Sequence, residues 1–230
     1  MIIKDICSAE LIRETRKSLS IRVFPDMRVV VKVPQQATDE EVDRFIVKRR
    51  LWLKKQLCYF QQFCNCTTIT KLSGSSVLYL GRQYQLIVRK NLQKFVKIEK
   101  NKIILNVPFI DKETENQQVL DEWLNNRAIT IFQERLDAVH AMFDKVVKPK
   151  LKLRKLTRRW GSYLRKSNTI ILNPCLIQAS KSAIDFIIAH ELCHYYYKEH
   201  NSAFYNLLES KIPNWKQIES KMEQKILSNI

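Results

Sequence analysis

The sequence predicts an α+β fold with a β-rich front half and a helical back half. Two observations carry that prediction. Short apolar runs with alternating character fill the first 110 residues, and from Glu113 onward the apolar positions recur at helical spacing. A third observation sets the scale: 230 residues with 45% apolar and 27% charged side chains can bury a real core. We accordingly expect a β-rich N-terminal region with one helix over 1–110 and a helical domain over 111–230.

The elements follow in chain order. Ser18 to Phe24 and Arg28 to Val33 read as a half-buried hairpin, with Leu19, Ile21 and Val23 alternating with polar residues and Pro25-Asp26-Met27 as the turn. Thr38-Asp39-Glu40-Glu41 reads as a helix start, a Thr cap followed by acids, and that helix runs to about Cys58. The polar stretch from Thr67 to Ser76 is a connector. Further β runs are Val77 to Leu80, Tyr84 to Val88, Phe95 to Ile98 and Ile103 to Val107. A long helix is expected from about Glu113 to Asp144, then a basic strand, then another strand at Thr169 to Leu172. Ser182-Ala183-Ile184-Asp185 resembles a capping box that opens a helix through about Tyr197. Asn201 or Ser202 caps a short helix ending near Pro213, and Asn214 with Gln217 starts the last one.

Forty Lys and Arg against 23 Asp and Glu leave a net charge of +17, a field that attracts nucleic acid, acidic proteins or anionic lipid. Eight basic residues cluster between Lys145 and Arg159, and Lys150, Lys152 and Arg154 alternate with Leu151 and Leu153. This is either a solvated strand face or a docking rail for an acidic or phosphate-bearing partner. No aromatic side chain interleaves with the cluster, so a stacking platform for single strands is not indicated. No uncharged apolar run approaches the roughly 20 residues of a membrane span. The N-terminus lacks the basic and apolar regions of a secretory leader, so a cytoplasmic location with reduced thiols is expected. Cys58, Cys64 and Cys66 lack the paired spacing of a structural zinc site.

Three of the four His fall within the eleven residues from His190 to His200, opening with His190-Glu191-Leu192-Cys193-His194. Positions four apart lie about 40° apart around a helix, so His190 and His194 project from one face. Two imidazole nitrogens one turn apart can share a tetrahedral zinc, and Glu191 beside them can take a proton from water. Ile184, Phe186, Ile187, Ile188, Ala189, Leu192 and Cys193 make the helix apolar on nearly every side, hence buried. Burying two His and a Glu is costly unless they bind metal or form a core hydrogen-bond network. In a continuous helix His200 would lie about 9 Å beyond His194 along the axis. The chain must turn after Tyr197 for His200 to reach the same ion, and the Asn201-Ser202 cap places a junction there. Tyr197, seven residues after His190, is expected near the ligand face. Asp185 is read as structural, an acid favoured in a first helical turn. Cys193 points away from the ligand face, and His140 is read as structural.

Four segments in order resemble the YgjP-like metallopeptidase family, a zincin group, and more distantly the SprT-like group. They are Arg159-Trp160-Gly161-Ser162, Thr169-Ile170-Ile171-Leu172-Asn173, Ile184 through His194, and His200-Asn201-Ser202 with Phe204 and Pro213-Asn214-Trp215. The front half is also similar, through Ser18-Leu19-Ser20-Ile21-Arg22-Val23 and Thr38-Asp39-Glu40-Glu41. The resemblance implies a zincin-like catalytic half, Zn2+ held by His190, His194 and His200, and Glu191 as catalytic acid/base. It also implies a strand flanking the cleft, expected at Thr169 to Asn173. Tyr163 stands where the family usually has Cys, which removes a thiol role at that position. The metzincins share the third-His spacing but carry Gly where this chain has Tyr197, so that group is disfavoured.

The function expected is hydrolysis of peptide bonds through a metal-activated water, with a protein or peptide substrate and no membrane. Arg159, Asn173 and Tyr197 are candidates for substrate contact. Two alternatives keep the metal site: a nucleotide phosphohydrolase, and a nucleic-acid-associated protease acting on DNA-bound proteins through the Lys145 to Arg159 cluster. Against the first, only Gly74, Gly81 and Gly161 occur, and no Gly-rich phosphate loop exists.

Overall fold

The computed structural model describes residues 9–16, 18–24, 28–64 and 73–227. The chain divides into two compact units, one of 1–67 with 223–230 and one of 68–222. The expected hairpin turn at 25–27 and most of the connector at 67–76 lie outside the described residues, as does Cys66, together with the side chains of Cys58 and Cys64. No helix among the described residues is long and apolar enough to cross a membrane.

In the first unit, β1 (Ala9–Glu14), β2 (Ser20–Val23) and β3 (Val29–Pro34) form one sheet. The central β3 pairs antiparallel with β2, as expected, and parallel with β1, which sequence alone did not reveal. Helix α1 (Asp39–Cys64) opens on a reciprocal capping box. The Thr38 N–H donates to Glu41 Oε2 at 3.1 Å and the Glu41 N–H to Thr38 Oγ1 at 3.3 Å, so two orphan donors are satisfied. Val29, Val31 and Val33 from β3 and Val42, Ile46 and Leu53 from α1 make a separate small core.

The second unit holds a mixed sheet ordered β4 (Ser76–Tyr79), β5 (Arg82–Lys90), β7 (Lys102–Val107), β6 (Phe95–Glu99). Helix α2 (Glu113–His140) follows, then a three-stranded sheet with β10 (Thr169–Leu172) between β8 (Lys150–Leu153) and β9 (Gly161–Leu164). Helices α3 (Lys181–Cys193), α4 (Ser202–Lys211) and α5 (Trp215–Leu227), the last as far as Met222, complete it. The compact units divide at residue 67, whereas the sequence reading divides the chain near residue 110. Leu86, Ile103 and Leu105 of the first sheet share one core with Leu120, Phe132, Ile170 and Ile184. The β4–β5 turn is also tied to the segment before α3, with Leu80 and Gly81 N–H donating to the Ile177 and Gln178 carbonyls, each at 2.9 Å. Gly81 has φ +77°, and a Cβ there would meet Ser180 at 3.0 Å, so this contact requires glycine.

Helix α3 starts two residues earlier than expected. Ser180, rather than Ser182, is its N-cap, its Oγ accepting from Ala183 N at 3.2 Å. Asp185 instead forms a bidentate pair with Arg135 of α2, at 2.6 and 2.5 Å, and so joins α2 to α3. His140 is structural, its Nε2 lying 2.8 Å from the Val146 carbonyl. Cys193 is free and buried, and burial pushes its thiol up to about 12, which makes it an inert core residue.

Candidate active site

Helix α3 ends at Cys193, with His194 as its C-cap, and not at Tyr197. Residues 195–200 turn back, and Asn201 caps α4 by accepting from Phe204 N at 3.0 Å. That reversal carries His200 to the face of α3 that holds His190 and His194. One ligand-type atom from each of the three imidazoles lies within 4.8 Å of the others, and the Nε2 atoms of His190 and His200 are 3.0 Å apart. Tetrahedral bonds of 2.0–2.1 Å would hold two nitrogens about 3.3 Å apart, so the spacing suits one zinc-sized ion.

The supporting contacts orient the rings, and burial holds His190 and His194 below the usual imidazole range. His194 Nδ1 lies 3.0 Å from the Tyr197 carbonyl, which assigns Nδ1 as the donor and leaves Nε2 free. Burial, then the neighbouring His194 and His200, depresses His190 to about 3, so it stays an unprotonated donor. Burial also lowers His194, opposed by its bond to Tyr197. Phe204 of α4 is fully buried and packs its ring centroid 5.0, 4.9 and 4.6 Å from those of His190, His194 and His200. This all-nitrogen donor set with one fixed tautomer fits a borderline metal ion.

Glu191 is 7% exposed, and burial pushes its carboxyl up to about 7. The Tyr163 backbone N–H and the Arg159 charge partly offset that rise. Gly161 gives Glu191 its room: a Cβ there would sit 2.8 Å from both Glu191 Cγ and Oε1. A cleft of about 470 Å³ opens over this group, lined by the three histidines, Glu191, Gly161, Ser162, Tyr163 and the cations Arg159, Arg165 and Lys198.

The strand beside the cleft is β9, not the expected Thr169 to Asn173. Strand β10 is buried along its whole length because it is the centre of its sheet, with β8 on one side and β9 on the other. Sequence reading missed β9 as a strand, along with Ser162, Tyr163, Arg165 and the packing role of Phe204. Gly161, one of three glycines in the chain, was the available signal. Arg159 does line the cleft. Asn173 is fully buried and does not: its Nδ2 donates to the Leu156 carbonyl at 2.8 Å, and its Oδ1 accepts from Cys175 N at 3.3 Å. Tyr197 reaches the site through its backbone carbonyl, and its ring packs half-buried against the core. Tyr163, in place of the family's usual Cys, donates its hydroxyl to Asn168 Oδ1 at 2.9 Å and so pins β9 to the loop before β10.

A buried carboxyl raised toward neutrality, set beside three converging imidazoles in an open cleft, defines a metal-dependent hydrolase of the metallopeptidase class. The chain belongs to the YgjP-like family, whose metallopeptidase domain matches residues 17–225. Two solved structures are similar over less than half of it. The metallopeptidase zymogen of Pyrococcus abyssi abylysin is 23% identical, covering 41% of this chain and 93% of its own, with a TM-score of 0.38. The metallopeptidase zymogen of Methanocaldococcus jannaschii jannalysin is also 23% identical, covering 43% and 96%, with a TM-score of 0.34. No curated protein matches the chain.

Proposed function

We propose that the protein is a zinc metallopeptidase that cleaves peptide bonds in protein or peptide substrates, with His190, His194 and His200 as ligands and Glu191 as the acid/base. The observation that carries this reading is the convergence of three imidazoles beside a buried carboxyl. A zinc ion held there supplies Lewis acidity to the reacting water and carbonyl. Glu191 accepts the water's proton at a carboxylate oxygen and returns it to the leaving amine. Its raised affinity for a proton suits both halves of that exchange near neutral pH. Tyr163 N–H and Gly161 hold the carboxylate in place. The Tyr197 carbonyl fixes the His194 tautomer.

The cytoplasm is the proposed compartment, and cell fractionation tests it. Nucleic acid is a secondary partner in this reading, supported by the exposed Lys150, Lys152, Arg154, Lys155 and Arg158. Binding to duplex DNA that weakens steeply with salt would support that role.

The decisive experiment pairs metal analysis with hydrolysis of an unfolded protein such as casein. Wild-type protein is expected to hold one zinc and cleave casein, and chelation to abolish cleavage reversibly. Glu191→Gln should keep the metal and lose nearly all turnover. Full turnover in that variant would refute the acid/base role, and failure to bind metal after His200→Ala alone would confirm that this third ring is needed.

A further inference from the structure

The cleft carries an uneven charge. Arg159, Arg165 and Lys198 line it and are exposed, whereas its lone carboxyl is the buried Glu191. Arg159 donates to Ser162 Oγ at 3.3 Å and Arg165 to the His194 carbonyl at 2.8 Å. Both acceptors are neutral, and the one carboxyl that Arg159 acts on is the buried Glu191, so the guanidinium charges are oriented and outnumber the carboxyl of the cleft. Other exposed cations of the same unit do meet carboxylates, as Lys97 meets Glu99, Lys112 meets Glu115 and Lys148 meets Asp137.

The cations are also placed along a direction. Arg159 lies two residues before the start of β9 and Arg165 one residue after its end, so they bracket a strand of roughly 13 Å at about 3.3 Å per residue. Glu191 meets β9 between them, at Gly161 and at the Tyr163 N–H. Lys198 adds a charge on the loop between His194 and His200. An extended chain lying along the cleft would thus meet positive charge on both sides of the position where Glu191 acts.

We infer that this cleft selects acidic segments, peptides with Asp or Glu on both sides of the bond presented to Glu191. The inference rests on the peptidase reading above. A compact phosphate group is the poorer match. Phosphate clamps gather several free backbone N–H groups at one point, whereas here Gly161 is packed against Glu191 and the Tyr163 N–H is committed to it. Exposed cations spaced along a strand fit side-chain carboxylates of an extended chain instead. Each such contact is worth a few-fold, and three together about tenfold, with strong screening by salt.

The test uses zinc-loaded full-length protein and quenched peptides of one length and one core, flanked by Glu, Gln or Lys. We expect kcat/KM in the order Glu, Gln, Lys, with about tenfold between the extremes at low salt and a smaller gap at high salt. Arg159→Glu and Lys198→Glu should each compress or invert that order with zinc content unchanged. Labelled peptides bound to Glu191→Gln protein should give the same order by fluorescence anisotropy, a readout that needs no turnover. Cleavage without preference, or with preference for Lys, overturns acidic selection and leaves the peptidase reading standing. Absence of cleavage for every peptide overturns both. Hydrolysis of nucleoside triphosphates in place of peptides would assign the cations to phosphate and also overturn the inference. If either variant misfolds, the wild-type order and the anisotropy still decide.

Discussion

Gly161→Ala is the sharpest perturbation the site offers, because it adds one methyl group whose nearest neighbours are atoms of the acid/base. The added Cβ would lie 2.8 Å from Glu191 Cγ and Oε1, where ordinary contact begins at 3.4 Å. Either the carboxylate or β9 must therefore move by about 0.6 Å, the shortfall between those two distances. Misplacing a reacting group by about 1 Å can cost roughly 100-fold in rate, so a loss of ten- to a hundredfold in kcat is expected. The three atoms nearest that Cβ all belong to Glu191, so zinc stoichiometry should be unchanged. Steady-state kinetics on a fixed peptide, zinc analysis and a thermal melt together test this. A variant within threefold of wild-type kcat would refute the view that Glu191 depends on a vacant Cβ position at 161. Loss of zinc would show instead that the strand shift reaches the ligands.

Other outcomes follow from the electrostatics and packing. Burial raises Glu191 from 4.5 to about 7, so the folded state holds a proton that the unfolded chain releases between those values. Its contribution to stability is thus present at low pH and lost as pH rises through about 7. In metal-free protein, Glu191→Gln should gain on wild type by about 3 kcal/mol between pH 4.5 and 8, read by urea denaturation. A pH-independent difference would contradict the burial argument. Asp185→Ala strands the Arg135 guanidinium, whose side chain is 27% exposed against 16% for Asp185. It should cost about 2 kcal/mol, and Arg135→Lys should restore little because a lysine lacks the fork. Equal stability of both variants with wild type would show that the pair holds α2 to α3 with no net strength.

What could be read from residues alone divides along a physical line. The His190-to-His194 spacing and the Thr38 capping box are local, since 3.6 residues per turn and a three-residue reach decide them. The need for a turn before His200 was equally local, a matter of rise per residue. By contrast, β9 has four residues, Gly161-Ser162-Tyr163-Leu164, without a clear alternation, and it exists because β10 pairs with it. Strand β1 likewise depends on a parallel neighbour across a long connection. Asn173 looked like a polar group available to substrate, but only the fold shows its amide already spent on Leu156 and Cys175. Choosing Ser180 over Ser182 as the cap required knowing that Asp185 faces Arg135. The compact units divide at 67 and not near 110 for the same reason, because shared burial is a property of the folded chain.

The ring of Phe204 has a consequence for traffic of the ion itself. It packs hydrocarbon against all three rings of the histidine cluster, which keeps water and chelator off that side. The cleft open to loading and stripping is the one whose mouth bears Arg159, Arg165 and Lys198. That mouth repels a bare divalent cation and draws in anions. Metal should therefore travel more readily as an anionic complex than alone, and a carboxylate chelator should strip it faster than an uncharged one of equal affinity.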